Sequence, residues 1–144
     1  MKYHFRVHKE GRGYWAECVE LKGCVTQGHS LKNLEKNMAE ALHLYLDEPS
    51  DSSLIFPLPK KTLRAPNLVT VLVEPRAAFS FYLRNLRLQR GLTQKQVAEK
   101  MGFKNIYSYQ RLESSKTANP ELATIVEIKK IFPEFSVDDL ISAS

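Results

Sequence analysis

The stretch GLTQKQVAEKMGFKNIYSYQRLE, residues 91–113, has the pattern of two short amphipathic helices joined by a tight turn. Thr93 is a favourable N-cap for the first helix, because its hydroxyl can accept a hydrogen bond from a backbone N–H of the first turn. Val97, Ala98 and Met101 follow at helical spacing on one side. Gly102 lies where the end of a helix favours a residue that tolerates positive φ. The stretch therefore predicts a helix, a glycine turn and a second helix.

The second helix of this stretch is predicted to begin at Asn105 or Ile106, with Ile106, Tyr109 and Leu112 on its inner face. The small side chain of Ala98 allows two helices to cross closely. Two helices in this arrangement form a helix-turn-helix, in which the second helix enters the major groove of DNA.

The charge distribution agrees with a nucleic-acid partner. The chain carries a net charge of +5, and residues 76–116 contain nine Lys/Arg against only two acids, Glu99 and Glu113. A concentration of basic residues on the predicted helix pair is what binding to a polyanion requires. The alternative is a basic surface that contacts only solvent.

The N-terminal half has the pattern of a small sheet with one helix. Residues 3–7 alternate apolar and polar side chains, residues 10–13 (EGRG) form a hairpin turn, and residues 14–21 and 24–27 are further strands. Ser30 is predicted to cap a helix over residues 31–46, whose apolar stripe contains Leu31, Leu34, Met38, Ala41, Leu42 and Tyr45.

A proline-rich connector over residues 47–67 follows this helix, and we expect residues 54–56 to pack on the first domain. The β-branched residues 68–73 predict a fourth strand that returns to the sheet. The first domain is thus β-β-β-α-β over residues 1–74. Residues 75–144 predict an all-α domain of five helices, with helices at 79–89, 121–131 and 136–140 around the central pair. In the helix over 121–131 we expect Leu122, Ile125 and Ile128 to face inward. The fold class is α+β.

Several classes of protein are not favoured by this sequence. The two cysteines, Cys18 and Cys24, make neither a disulfide framework nor a CxxC motif, and the four histidines are scattered, so we expect no metal and no cofactor. No apolar run approaches the ~20 residues of a membrane span. The charged N-terminus does not have the pattern of a signal peptide, so we expect a cytoplasmic protein without a membrane partner.

The C-terminal half resembles the Cro/C1-type (XRE) helix-turn-helix family over residues 79–141. The matching runs are RLQRGLTQKQVAEKMG, YQRLESSK and PELATIVEIKKIF. The resemblance implies base contacts from Tyr107, Ser108 and Arg111, and a phosphate contact from Gln94. From their positions beside the second helix, we also expect phosphate contacts from Lys104, Asn105 and Lys116. The resemblance also implies an ion pair between Arg87 and Glu113. This chain has one residue more than the family between Gly102 and Glu113, which leaves the start of the second helix open.

The N-terminal half resembles the HicB antitoxin family. The residues that carry the resemblance are GCVTQGHSLKNLEKNMAEALHLYLDE, residues 23–48, preceded by YWAECVELKGC. The resemblance implies a partial RNase H-like fold that blocks a HicA-type toxin, a small basic protein that cleaves mRNA. It also implies that the helix-turn-helix domain represses the operon of the pair by binding operator DNA.

Four acidic residues are candidates for contacts to such a toxin, although the pattern favours an ordinary solvated charge for each: Glu17, Glu20, Glu35 and Glu40. A sheet edge that pairs with a toxin strand is a further possibility. An RNase H-type nuclease needs three or four converging carboxylates on Mg²⁺, and residues 3–7 contain none, so we expect no enzyme.

A single helix-turn-helix domain makes few contacts with DNA, so we expect a homodimer or a higher homo-oligomer. The candidate surfaces are Val137, Leu140 and Ile141 together with the edge of the strand at 68–73. The alternative function is a stand-alone transcriptional regulator whose N-terminal domain senses a ligand or only dimerises.

Overall fold

The computed structural model describes residues 1–141 and divides the chain into two compact units. The first unit comprises residues 1–46 and 56–73, and the second comprises residues 47–55 and the chain from residue 74 onward. The end of the predicted second domain, residues 142–144, lies outside the described residues. The fold is mixed α/β, with one four-stranded antiparallel sheet and five α-helices.

The sheet of the first unit has the strand order β3-β2-β1-β4, and all neighbouring strands are antiparallel. The strands are β1 (Lys2–Glu10), β2 (Gly13–Cys18), β3 (Val25–Gly28) and β4 (Leu68–Leu72). The hairpin between β1 and β2 turns at Gly11, whose φ of +58° is a conformation that glycine adopts without strain. As predicted, the fourth strand returns to the sheet, where it pairs with β1.

Helix α1 (Leu31–Leu46) covers one face of this sheet. It buries Leu34, Met38, Leu42 and Leu46 together with core residues of the strands such as Phe5. Each such side chain contributes roughly 1.5–3 kcal/mol when it is fully removed from water.

The apolar stripe predicted for α1 was wrong at its first position. Leu31 is 59% exposed, whereas Leu46, outside the predicted stripe, is buried. Leu31 is the first residue of the helix, and no described part of the chain covers it there.

The start of α1 is fixed against β3 by close contacts. Ser30 caps the helix as predicted, since its Oγ accepts a hydrogen bond from the Asn33 N–H at 3.1 Å. The Asn37 side chain donates to the Gln27 carbonyl at 2.7 Å. Gly28 has no room for a side chain, because a Cβ there would lie 2.6 Å from the Leu34 nitrogen.

The chain leaves the sheet earlier than the sequence predicted, because Glu20 turns inward. The Glu20 carboxylate accepts hydrogen bonds from the backbone N–H of His4 at 2.9 Å and of Lys60 at 3.1 Å. The His4 Nδ1 atom lies 2.7 Å from the same carboxylate. Strand β2 therefore ends at Cys18 and not at Leu21, and β3 runs one residue later than predicted.

Only the end of the predicted 54–56 segment packs on the first unit. The Phe56 ring lies 5.1 Å from the Tyr45 ring, and the Pro57 carbonyl accepts a hydrogen bond from the Tyr3 hydroxyl at 2.8 Å. Leu54 and Ile55 are 56% and 45% exposed and belong to the second unit, so the prediction was wrong for them.

The second unit is helical. Its elements are α2 (Pro75–Gln89), α3 (Gln94–Lys100), α4 (Ile106–Gln110), α5 (Leu122–Ile131) and a 3-10 turn (Val137–Asp139). Helix α2 begins four residues before the prediction, because Glu74 accepts a hydrogen bond from the Ala77 N–H and Pro75 occupies the first turn. Its predicted inner residues, Phe79, Leu83 and Leu86, are all buried.

Helix α5 buries less than the sequence predicted. Ile128 is buried, but Leu122, which we expected to face inward, is 82% exposed. Val126 is also 53% exposed, so α5 keeps an apolar strip at the surface.

Candidate nucleic-acid interface

Helix α3 begins with a complete capping box. The Thr93 Oγ1 accepts from the Gln96 N–H at 3.1 Å, and the Gln96 side chain accepts from the Thr93 N–H at 2.8 Å. Two backbone N–H groups that the first turn leaves unpaired are satisfied in this way. Val97 and Ala98 are buried, as the spacing predicted.

The turn after α3 determines where α4 begins. Gly102 has a φ of +79°, and the Phe103 N–H donates to the Ala98 carbonyl at 3.0 Å, which closes the end of α3. The Asn105 side chain then accepts from the Ser108 N–H at 3.1 Å and caps α4. The second helix of the pair therefore begins at Ile106.

A buried ion pair connects α2 to the end of α4. Arg87 Nε donates to one Glu113 oxygen at 2.6 Å, and Arg87 Nη2 donates to the other at 3.1 Å. The two side chains are 6% and 3% exposed, so the predicted Arg87–Glu113 pair is present and shielded from water. Burial alone would lower the pKa of Arg87, but the hydrogen bonds and charge of Glu113 outweigh it, and the pKa is raised.

The Glu113 carboxylate also holds α3 and α4. It accepts from the Tyr109 hydroxyl at 2.6 Å and from the Gln94 side chain at 2.8 Å. Burial, followed by the charge of Glu113, raises the pKa of Tyr109, so this hydroxyl remains protonated and donates. One carboxylate therefore sets the mutual orientation of three helices.

The residues predicted to read bases lie on or next to α4. Tyr107 is 63% exposed and Arg111 is exposed, so both side chains are accessible to a ligand. Ser108 is half-buried, and its hydroxyl lies 3.4 Å from the Asn105 side chain. Inner-face residue Tyr109 is fully buried, whereas Ile106, expected beside it, is 39% exposed.

The residues predicted to contact phosphates differ in exposure and in the hydrogen bonds that their side chains already make. Lys104 and Lys116 are exposed, as such contacts require. Asn105 is exposed, but its side chain is already used as the cap of α4. Gln94 is half-buried, and its amide donates a hydrogen bond to Glu113. This bond holds the Gln94 side chain in one position.

Gln110 was missed in the sequence. It donates to the Gln94 side chain at 3.2 Å, which places two amide side chains together where α3 meets α4. The helical pattern had placed Gln110 away from the inner face, and no local signal identifies a partner 16 residues earlier. The pair adds a second amide to the predicted Gln94 contact.

The four acidic residues predicted to contact a toxin do not form one surface. Glu17 is half-exposed and lies 3.7 Å from Arg6 on the sheet face opposite α1, whereas Glu35 and Glu40 are exposed on α1. The Glu20 side chain is 1% exposed and bonded to the first strand. The prediction that Glu20 contacts a toxin is therefore wrong, because a buried carboxylate is not accessible to a protein partner.

Within residues 1–141, no group of three or more His, Cys, Asp or Glu side chains is arranged to hold a metal ion. None of the helices in this part of the chain is long and apolar enough to cross a membrane.

Two comparisons relate this chain to known proteins. The helix-turn-helix family HTH_3 matches residues 83–140, so a helix-turn-helix domain is present and supports a DNA-binding regulator. A UPF0150 protein from Helicobacter pylori strain J99 is 38% identical over 60 residues. Those residues are 42% of this chain and 83% of the relative.

We expect Glu113→Ala to lower the free energy of unfolding by about 3 kcal/mol, because it leaves the buried Arg87 guanidinium without its carboxylate. Urea denaturation of the full chain measures the change. Glu127→Ala is the matched control, since it breaks the exposed pair with Lys130 and should cost less than about 1 kcal/mol. Equal losses in the two variants would contradict the role assigned to Glu113.

Proposed function

Because this chain belongs to the UPF0150 family and carries a helix-turn-helix domain, we propose that it is the antitoxin of a toxin–antitoxin pair and represses its own operon. The observation that carries the proposal is the presence of both features in one chain. The resemblance of residues 23–48 to HicB antitoxins supports a HicA-type toxin as the partner. In this proposal the first unit is a partial RNase H-like fold.

Operator recognition in this proposal depends on α4. Tyr107 and Arg111 are exposed, and the helix that carries them is oriented by the buried Glu113 carboxylate. A guanidinium can donate two hydrogen bonds to the O6 and N7 atoms of guanine, which discriminates by roughly 1–3 kcal/mol against other bases. Lys104 and Lys116 supply charge to the phosphates, which contributes without regard to sequence.

Arg111→Ala should weaken binding to the operator about tenfold and binding to random DNA much less, because only the operator loses a base contact. Fluorescence anisotropy with both duplexes at the same salt concentration measures the two losses. Lys104→Ala is the control and should weaken both duplexes alike. If Arg111→Ala also weakened both equally, its base-reading role would be wrong.

A dimer is the second part of the proposal, since one such domain reads only one half-site. Four of the exposed apolar side chains of the second unit lie on α5, in the 3-10 turn and just after it: Leu122, Val126, Val137 and Ile141. Leu140, one of the expected surface residues, is only 8% exposed and belongs to the core. We therefore place the self-association surface on α5, with Val137 and Ile141 beside it; the edge of β4 is the other candidate.

Val126→Lys should weaken self-association about tenfold, because two apolar contacts per dimer are replaced by buried charge. Sedimentation equilibrium over a concentration series measures the dissociation constant. The control is Leu44→Lys, at a position on α1 that is 76% exposed. A mass that stays monomeric at every concentration in the unaltered protein would exclude the dimer, and an unaffected Val126→Lys dimer would favour the β4 edge.

The proposed toxin contacts are the exposed acids of α1, Glu35 and Glu40, and Glu17 on the sheet. Exposed Leu31 and Leu44 lie on the same helix and supply apolar area beside these charges. Glu40 pairs only loosely with Lys36, at 3.9 Å between exposed side chains, so a cationic partner can replace that contact.

Co-expression with the small protein encoded beside this gene should rescue growth, and the two proteins should co-purify. The Glu35→Lys/Glu40→Lys variant should weaken the complex at least about tenfold, because like charges then face each other. Glu127→Lys in the second unit is the charge-matched control. Failure of both rescue and co-purification, with operator binding intact, would instead favour the stand-alone regulator.

A further inference from the structure

Gln110 lies beside the two side chains that are proposed to read bases. It follows Tyr107 by three residues and directly precedes Arg111, which continues the helical conformation at the end of α4. Side chains three and four residues apart on a helix are neighbours, so Tyr107, Gln110 and Arg111 form one group on α4. The opposite side of the helix faces the core, since Tyr109 is fully buried there. Gln110 is half-buried, and a ligand that contacts both Tyr107 and Arg111 comes next to it.

The amide of Gln110 is oriented by a chain of hydrogen bonds that begins at a buried carboxylate. The two Glu113 oxygens accept four hydrogen bonds, from Arg87 Nε and Nη2, the Tyr109 hydroxyl and Gln94 Nε2. A carboxylate that is paired with a guanidinium only accepts, so Gln94 must turn its NH2 group toward Glu113 and its Oε1 away. Gln94 Oε1 in turn accepts from Gln110 Nε2 at 3.2 Å. The orientations of both amides thus follow from one buried ion pair.

This chain of hydrogen bonds leaves a defined edge on Gln110. Its Nε2 has one N–H left after the bond to Gln94, and within residues 1–141 its Oε1 makes no hydrogen bond. Gln110 therefore presents a donor and an acceptor side by side. In the major groove, adenine presents the matching N7 acceptor and N6 donor, whereas guanine presents two acceptors. An amide held in this orientation favours adenine.

We propose that Gln110 is a specificity-determining residue of this domain and reads an adenine of the operator, with Gln94 as its positioning residue. The inference rests on the proposed recognition of operator DNA through α4. An amide that is oriented before binding loses little side-chain freedom when the complex forms, so more of its interaction with the base remains as affinity. The buried Glu113 carboxylate thus has two effects, since it orients α4 and also orients the amide that α4 presents.

The first test selects binding sites from a library of random duplexes and compares the unaltered protein with two variants. We expect the sites chosen by the unaltered protein to contain an adenine that Gln110→Ala no longer prefers. Arg111→Ala is the matched control, because it should lose a guanine preference and keep this adenine. Binding to a random duplex verifies that each variant is folded. Gln110→Met, which keeps the length of the side chain without the amide, replaces Gln110→Ala if the shorter side chain unfolds the domain.

The second test removes one atom of the adenine. 7-Deazaadenine still pairs with thymine but has no N7 acceptor, so it should weaken binding of the unaltered protein about tenfold and have no further effect on Gln110→Ala. Gln94→Met can neither donate to Glu113 nor accept from Gln110. If Gln94 positions Gln110, the loss caused by 7-deazaadenine should be smaller in Gln94→Met. A Gln94 that contacts only phosphate would leave this loss unchanged.

Two results would overturn the role of Gln110 while operator recognition by α4 stands. They are selection of the same sites by Gln110→Ala and by the unaltered protein, and an equal loss of affinity for 7-deazaadenine in both. An unaltered protein that selects no sequence from the library would overturn the proposed operator binding together with this inference.

Discussion

The hydrogen bonds of the Glu113 carboxylate are the interaction on which the DNA-binding unit depends. Arg87 on α2, Gln94 on α3 and Tyr109 on α4 all donate to it, so three short helices share one acceptor. Helices α3 and α4 have only seven and five residues, too few to be stable by their own backbone hydrogen bonds. A buried ion pair of this kind contributes little net stability, because desolvation offsets its attraction. It instead fixes one orientation of α4, and that orientation determines which side chains face outward.

The features that sequence reasoning predicted correctly depend on a few neighbouring residues. Thr93 as a cap and Gly102 at positive φ follow from chemistry within one helical turn, and the structure has both. The errors concern residues whose environment is set by distant parts of the chain. Glu20 has the pattern of an exposed strand residue, but it is buried because His4 and Lys60 supply its hydrogen bonds. Leu122 follows helical periodicity, yet no described part of the chain covers it.

The residues around α4 show the same difference between local and distant effects. Arg111 and Tyr107 were predicted to contact bases from their positions in the helix-turn-helix pattern, and both side chains are exposed. Gln110 was missed, since its partner Gln94 lies on another helix. Asn105 was expected to contact phosphate, and in the structure its side chain caps α4 by accepting from the Ser108 N–H. The hydrogen bond of the Asn105 side chain thus sets the start of α4. The length of the loop alone did not determine this position.

The two units differ in net charge, and the net charge of the whole chain does not show this difference. The second unit is neutral overall, because its basic residues on α2 to α4 are balanced by acids in residues 47–51 and in residues after 117. Its attraction for DNA is therefore local, and falls off within about 10 Å at ordinary ionic strength. The whole net charge of +5 resides in the first unit, where Glu20 is buried and Glu17 is shared between Arg6 and His8. Within the same screening distance the sheet unit presents a net positive charge, whereas the helix-turn-helix unit presents only its local basic surface.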